Sequence, residues 1–200
     1  MDTRGIQREL QGKRILITGA AGSIGSELVR QLSRFEVALI IMCDQNESAL
    51  HELQLDITDH DAHSKVQAFV GDIRDENRMD FLFATYKPEY VYHAAAYKHV
   101  PLMELHPAEA IKTNVGGTKI IADLALKYRV SKFVMISTDK AVNPSNIMGA
   151  SKRIAEIYVQ SLNNIMQKNP ATRFITTRFG NVLGSNGSVI PRFKQQIEKG

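Results

Sequence analysis

The residues of this chain whose types and spacing can do chemistry fall into three groups. The first is the glycine series Gly19, Gly22 and Gly25 in Thr18-Gly19-Ala20-Ala21-Gly22-Ser23-Ile24-Gly25, set between the apolar run Arg14-Ile15-Leu16-Ile17 and a helix that begins near Ser23. A buried strand, a glycine turn and a helix N-terminus, in that order, form a phosphate cradle. Gly19 can take the tight turn, Gly22 lets the backbone approach a diphosphate without a Cβ in the way, and Gly25 lets the helix pack on its strand. The helix start, where Ser23 and Ile24 stand, offers the backbone N–H groups of its first turn and a partial positive charge to the anion. The competing reading is a glycine-rich turn without a ligand.

The second group is a set of polar or small residues that follow apolar runs. Asp44 stands nineteen residues beyond Gly25, where a carboxylate can accept hydrogen bonds from the ribose hydroxyls of a dinucleotide. It would repel the 2′-phosphate of NADP and no arginine adjoins it, so NAD is expected as cofactor and NADP is disfavoured. Asp72 and Ile73 can hold an adenine by its amino group and cover its face, or form a solvated turn. Ala94-Ala95-Ala96 permit close approach to the backbone. Lys98 and His99 can meet an anionic substrate or be ordinary surface residues. The third group, Ser137-Thr138-Asp139-Lys140, is the most polar strand end in the chain and sets an acid beside a base. Such a pair alone is more often a salt bridge than catalytic machinery.

Strands must present these groups. Apolar runs predict them at residues 13–18, 37–43, 66–70, 90–93, 130–137 and 173–179, and helices lie between them. The first helix has an apolar face of Ile24, Leu28 and Leu32; another spans about 46–56 with Ala49, Leu50 and Leu53 inward. A third runs over 75–86, and a long one over 106–128 holds Asn114 and the pair Gly116-Gly117. Two adjacent glycines inside a helix cost about 2 kcal/mol relative to alanine, so they call for a packing reason. A helix over 148–167 is expected to turn Ile154, Ile157, Tyr158 and Leu162 inward, and a last one opens at Pro191. The alternation predicts an α/β fold, a doubly wound parallel (Rossmann) sheet with helices on both faces. Ligands of such sheets lie beyond the carboxyl ends of the strands, where every polar group named here falls. Residues 1–12 read as a polar lead-in, and 13–200 as one NAD-binding domain.

Composition narrows the class. With 200 residues, 44% of them hydrophobic, the chain can bury a sizeable core. Its one cysteine, Cys43, lies in an apolar run, so a buried, reduced thiol is expected and a disulfide framework is excluded. No apolar run is long enough to span a bilayer and the first residues lack the apolar core of a signal peptide, so the chain as given is expected to be soluble and cytoplasmic. The net charge of +4 suits a phosphate-bearing ligand, but the basic residues are interleaved with acids, which argues against nucleic acid. No metal site is expected.

Six stretches together resemble the extended short-chain dehydrogenase/reductases, and specifically the nucleotide-sugar 4,6-dehydratases of polysaccharide and glycan biosynthesis. They are Gly19 to Gly25, Gly71 to Asp75, His93 to Pro101, Asn114 to Thr118, Ser137 to Pro144, and Arg178 to Ser185. The resemblance implies a substrate of the UDP-N-acetylglucosamine kind and an NAD regenerated within each turnover. Hydride leaves sugar C4, water is eliminated across C5 and C6, and the hydride returns to C6. By the family's motif Thr138 would bond the C4 oxygen, Asp139 would protonate the departing C6 hydroxyl, and Lys140 would be the base at C5. Lys98, His99 and Asn181 would meet the substrate, and Ala94, Ala95 and Lys152 the cofactor.

Two departures stand out. Where the wider family has Tyr-x-x-x-Lys, this chain has Met148 and Lys152. Methionine carries no proton, so the usual base at O4 is missing. Either the chain is a non-catalytic NAD-binding scaffold or sensor, or it resembles a dehydratase subgroup with methionine here. That subgroup retains the C5 configuration and is commonly attached to an N-terminal membrane region. Lys152 through water, or Thr138, would then take the O4 proton. A nucleotide-sugar 4-epimerase remains the rival enzyme. The second departure is length: the family continues past Gly200 into the part that holds the sugar nucleotide. The chain is therefore expected to be the cofactor half of a longer homo-oligomeric protein, with most of the substrate-binding part missing and little activity alone.

Overall fold

The computed structural model describes residues 3–60, 65–165, 171–180, 182 and 197. Asn181 and the helix expected from Pro191 fall outside the described residues. Six strands form one parallel sheet: β1 (Arg14–Thr18), β2 (Leu39–Asp44), β3 (Val66–Val70), β4 (Tyr90–His93), β5 (Lys132–Thr138) and β6 (Arg173–Phe179). Their order is β3-β2-β1-β4-β5-β6, so the winding reverses between β1 and β4. That reversal opens the crevice in which doubly wound sheets bind ligands.

Alternate side chains of each strand feed two cores. Leu16 of β1, Ile41, Phe69, Val91 and Phe133 face α4 (Glu76–Tyr86), α7 (Thr118–Lys127) and α8 (Ile147–Ile165). Ile15, Ile17, Ile40 and Met42 face the other way, toward α1 (Thr3–Leu10), α2 (Ser23–Leu32) and α3 (Glu47–His60). Ile15, Ile17, Leu16 and Phe133 are all fully buried, and each such side chain contributes roughly 1.5–3 kcal/mol. Cys43 is buried as expected, and burial pushes its thiol up to about 12. The polar lead-in is itself a helix, α1, whose Leu10 enters the second core and whose Glu9 accepts hydrogen bonds from Tyr90 and Lys132.

Two expectations are corrected. A separate short helix, α5 (Val100–Leu105), comes first, and the long helix expected over 106–128 is three segments: α6 (Pro107–Ala110), a π-helical stretch Ile111–Gly117, and α7. Pro107 starts a new helix at its first position, where a missing N–H costs nothing. The widened π turn seats Asn114, and a Cβ on Gly117 would lie 2.5 Å from Cδ1 of Ile73, which supplies the packing reason for that glycine. The second correction concerns α8. Ile154 and Ile157 are 47% and 53% exposed; Met148, Ser151, Lys152, Ala155, Glu156 and Val159 are the residues turned inward, along with Leu162. The inward face carries two charges, which an apolar periodicity cannot reveal.

Candidate functional site

The glycine turn is built by contact. Gly19 has φ of 68°, and a Cβ there would lie 2.5 Å from the Ala95 backbone nitrogen; a Cβ on Gly25 would lie 2.1 Å from the Gly19 carbonyl oxygen. The turn therefore packs on the segment after β4 and on the first turn of its own helix. Gly22 is the N-cap of α2 and supplies no side-chain acceptor to the N–H groups of Ser23 and Ile24. A Cβ on Gly22 would be 3.3 Å from the Gly19 oxygen, so glycine here keeps the cradle open.

Asp44 does more than the spacing suggested. Its Oδ2 accepts from the Ala21 N–H (3.0 Å) and its Oδ1 from the Asn46 N–H (3.0 Å), so the carboxylate at the end of β2 also shapes the glycine turn. Each oxygen keeps a further lone pair for a hydroxyl. Asp72 is gripped by Arg74 through Nε (2.8 Å) and Nη2 (2.6 Å), and this pairing holds its carboxyl below the usual range. Ile73 is buried against Gly117. Gly19, Gly22, Asp44, Asp72, Ile73 and Ala94 to Tyr97 line one cleft together with Thr113. Thr113 Oγ1 is buried and has no partner among the described residues. An open glycine cradle, a carboxylate with spare lone pairs and an orphaned hydroxyl in one cleft fit a dinucleotide.

Beyond β5 the polar strand end turns into a 3₁₀ turn, Asp139–Ala141. Thr138 Oγ1 donates to Asp139 Oδ1 (2.9 Å), and the Lys140 ammonium lies 3.2 Å from the same oxygen. These two donors hold the Asp139 carboxyl below the ordinary range, so in this arrangement it faces Lys140 as a carboxylate. The turn is roofed by α8: a Cβ on Gly149 would lie 2.3 Å from the Lys140 carbonyl oxygen. Asn146 Oδ1 accepts from the Gly149 N–H (2.8 Å) and fixes that helix end.

Met148 sits in the first turn of α8, buried with Met103 and Ala110 against Tyr97, Val100 and Ile147. One turn on, Lys152 is 4% exposed and donates to the Ile136 carbonyl of β5 (2.8 Å). Burial lowers its pKa to about 8, partly opposed by the charge of Glu156. Lys98 and His99 are exposed at the entrance to α5. The structure thus brings the cradle, Asp44, Asp72, Ile73, Ala94 and Ala95 into one cleft, and sets Thr138, Asp139 and Lys140 at the carboxyl end of the same sheet, under the start of α8. It gives no position for Asn181, the first residue after Gly180.

Residues outside the expected set tie these parts together. His93 closes β4 fully buried, with Nδ1 2.7 Å from Thr18 Oγ1 and Nε2 2.9 Å from Thr118 Oγ1. Thr118 spends its only proton on the Asn114 carbonyl (2.7 Å), so it accepts from His93 Nε2–H, and Thr18 donates to Nδ1. The ring is neutral in one tautomer, and burial with Lys152 nearby lowers its pKa to about 3. Asn114 bonds the Tyr97 backbone in both directions (2.8 and 3.0 Å) and reaches Ser151 Oγ (2.9 Å). A histidine closing an otherwise apolar strand, and an asparagine before a glycine pair, are the sequence signals that mark this chain of bonds.

Comparison with known proteins places the arrangement. A family model described as "Polysaccharide biosynthesis protein" matches residues 15–200. The capsular polysaccharide biosynthesis protein CapD of Staphylococcus aureus is 51% identical over 201 residues, covering 100% of this chain and 33% of that protein. A UDP-N-acetylglucosamine 4,6-dehydratase (inverting) of Campylobacter jejuni is 40% identical, covering 94% of this chain and 55% of its own length. The crystal structure of a UDP-glucose 4-epimerase from Thermotoga maritima superposes with a TM-score of 0.77 at 25% identity, covering 93% of this chain and 63% of that one. The chain spans a third to about half of the length of these two curated relatives.

Proposed function

We propose, from the premise that the chain belongs to the polysaccharide biosynthesis protein family, that it is the cofactor-binding part of a nucleotide-sugar 4,6-dehydratase acting on UDP-N-acetylglucosamine with NAD. The observation that carries this reading is the Thr138-Asp139-Lys140 turn pressed under α8, with Lys152 one turn further along that helix. An epimerase needs the cofactor cleft but has no elimination for an acid and a base to serve.

Gly19, Gly22, Ser23, Ile24 and Gly25 would hold the diphosphate, Asp44 the adenosine ribose, Asp72, Ile73 and Thr113 the adenine end, and Ala94, Ala95 and Lys152 the nicotinamide end. NAD, when bound, supplies reversible oxidation at sugar C4. The remaining steps belong to the chain. Thr138 holds the C4 oxygen. The ketone acidifies the C5 proton, which the Lys140 amine takes, while the Asp139 carboxyl gives a proton to the leaving C6 hydroxyl. Those roles need a neutral acid and a neutral amine, whereas the open turn holds an ion pair. One proton crossing that 3.2 Å contact produces both neutral forms at once. Displacement of water by the sugar favours the exchange, because a drier site penalises the two charges. Lys152, whose lowered pKa near 8 makes the neutral amine accessible, takes the O4 proton through water, or Thr138 takes it, in place of the base that Met148 cannot be.

Lys98, His99 and Asn181 would contact the sugar nucleotide, most of whose binding part lies in the longer protein. That protein is a homo-oligomer anchored to a membrane through a preceding region, with this domain on the cytoplasmic side. Among the described residues no helix is long and apolar enough to cross a membrane. The likeness to an epimerase keeps a 4-epimerase as the second reading. Incubating the longer protein with UDP-N-acetylglucosamine and identifying the product separates them. A 4-keto-6-deoxy sugar nucleotide supports the dehydratase, and a C4 epimer that keeps its C6 hydroxyl contradicts it.

A further inference from the structure

The inward face of α8 holds a fully buried carboxylate that the proposed chemistry does not use. Glu156 accepts from Arg178 at both oxygens, Oε1 from Nε (2.8 Å) and Oε2 from Nη2 (2.5 Å), and Oε2 also accepts from Arg153 (3.2 Å). Arg178 is the penultimate residue of β6, two before Gly180, whose Cβ would lie 3.4 Å from Asp139 Oδ2. A bidentate guanidinium–carboxylate pair fixes both distance and plane. The pair therefore sets where β6 ends relative to the helix, and β6 leads directly into Gly180 and Asn181.

Glu156 also stands one turn after Lys152 on the same face, where residues four apart are neighbours. Lys152 has the Ile136 carbonyl as its acceptor, and burial works against its charge. We propose that Glu156 is a positioning residue of the site: its buried carboxylate ties the end of β6 to the helical turn that carries Lys152, and supplies the negative charge against which the Lys152 ammonium is held. The other charged or titratable groups packed around the pair are His93 from β4, Arg178 from β6, Arg153 and Tyr158 on α8, Asp139 and Lys140 from the turn under α8, Glu104 from α5, and Lys119 and Asp123 from α7, which meet α8 at Tyr158. Besides Glu156, negative charge comes from the two aspartates and from Glu104, which accepts from the Ile147 N–H at the start of α8. Asp139 is committed to Lys140, and Asp123 to Lys119 and Tyr158.

The sign follows from the charges. Removing the carboxylate withdraws support from the ammonium, so Lys152 releases its proton at lower pH. The use of Lys152 in turnover rests on the dehydratase reading; the charge coupling does not, and it is read without turnover. The protein is labelled with ¹³C-lysine, the Lys152 signal is assigned by its loss in Lys152→Arg, and its titration midpoint is followed in Glu156→Gln and Glu156→Asp. Thermal melting checks that each variant folds. The expected result is a midpoint lowered by about one pH unit or more in Glu156→Gln and close to the parent in Glu156→Asp. An unmoved midpoint in Glu156→Gln, or equal shifts in both variants, overturns the proposal. If Glu156→Gln does not fold, Arg178→Gln reads the coupling from the other side. Freed of its arginine, Glu156 raises the Lys152 midpoint, and a folded Arg178→Gln with an unmoved midpoint overturns the proposal equally. A dehydratase assay that fails while these shifts appear refutes the enzyme reading alone.

Discussion

Gly149 touches the Lys140 backbone: a methyl group at Gly149 would lie 2.3 Å from the Lys140 carbonyl oxygen, well inside van der Waals contact. The helix bearing Met148 and Lys152 is thereby seated on the turn bearing Asp139 and Lys140. Gly149→Ala must push them apart. We expect the variant to lose about 1–3 kcal/mol of stability and the longer protein to lose turnover by about a hundredfold, the usual effect of an ångström-scale misplacement. NAD affinity, measured by calorimetry, should fall far less than turnover, because the diphosphate cradle lies on other elements and only Lys152 at the nicotinamide end moves with α8. Turnover unchanged in a folded variant would show that the contact does not set the site.

The cradle itself is tested at Gly22, where an added methyl meets only the Gly19 oxygen at 3.3 Å. Gly22→Ala should melt near the parent and bind NAD at least about tenfold more weakly, since the Cβ occupies the space the diphosphate needs. Equal affinity in calorimetry would remove the diphosphate from this turn.

Asp44 carries two tasks, bracing the Ala21 and Asn46 amides and presenting free lone pairs at the end of β2. Asp44→Asn keeps an acceptor but not the charge. We expect weaker NAD binding with a smaller penalty against NADP, so that the ratio of the two affinities moves toward one. An unchanged ratio would mean that the carboxylate does not discriminate at the 2′ position.

His93 gives the chain a defined acid sensitivity. Its pKa falls from 6.5 to about 3 on folding, so the unfolded chain binds more protons between those values. The stability that the neutral ring contributes is complete above pH 6.5 and is lost progressively as pH falls toward 3. The loss attributable to this one group is roughly 4–5 kcal/mol. In His93→Gln denaturant unfolding should show a flatter dependence over that window, and an identical slope would contradict the neutral, one-way bonded ring.

Much of this was legible in the sequence because it is encoded locally. The apolar runs gave every strand to within a few residues, and the glycine spacing and the acid at the end of β2 located the cleft that Gly19, Gly22 and Asp44 line. What escaped is encoded in tertiary contacts. Ile154 and Ile157 look like core residues by type, yet α8 turns Lys152 and Glu156 inward, because Ile136 and Arg178 wait there with matching polar groups. The π turn around Asn114 goes with Asn114 bonding the Tyr97 backbone, a partner seventeen residues away that helical periodicity does not register. Thr113 is one residue before Asn114, and only the folded cleft reveals that its hydroxyl has no partner among the described residues.

The central claim is that Lys140 and Asp139 carry out an elimination, and proton exchange at sugar C5 tests it most directly. The longer protein and its Lys140→Met and Asp139→Asn variants are supplied with UDP-N-acetylglucosamine in deuterated water, and the product is read by mass and NMR. The account predicts a 4-keto-6-deoxy sugar nucleotide with deuterium at C5 from the parent, and at least about a hundredfold less from either variant, with NAD affinity kept. Unlabelled C5, or variants that turn over at the parent rate, would contradict it.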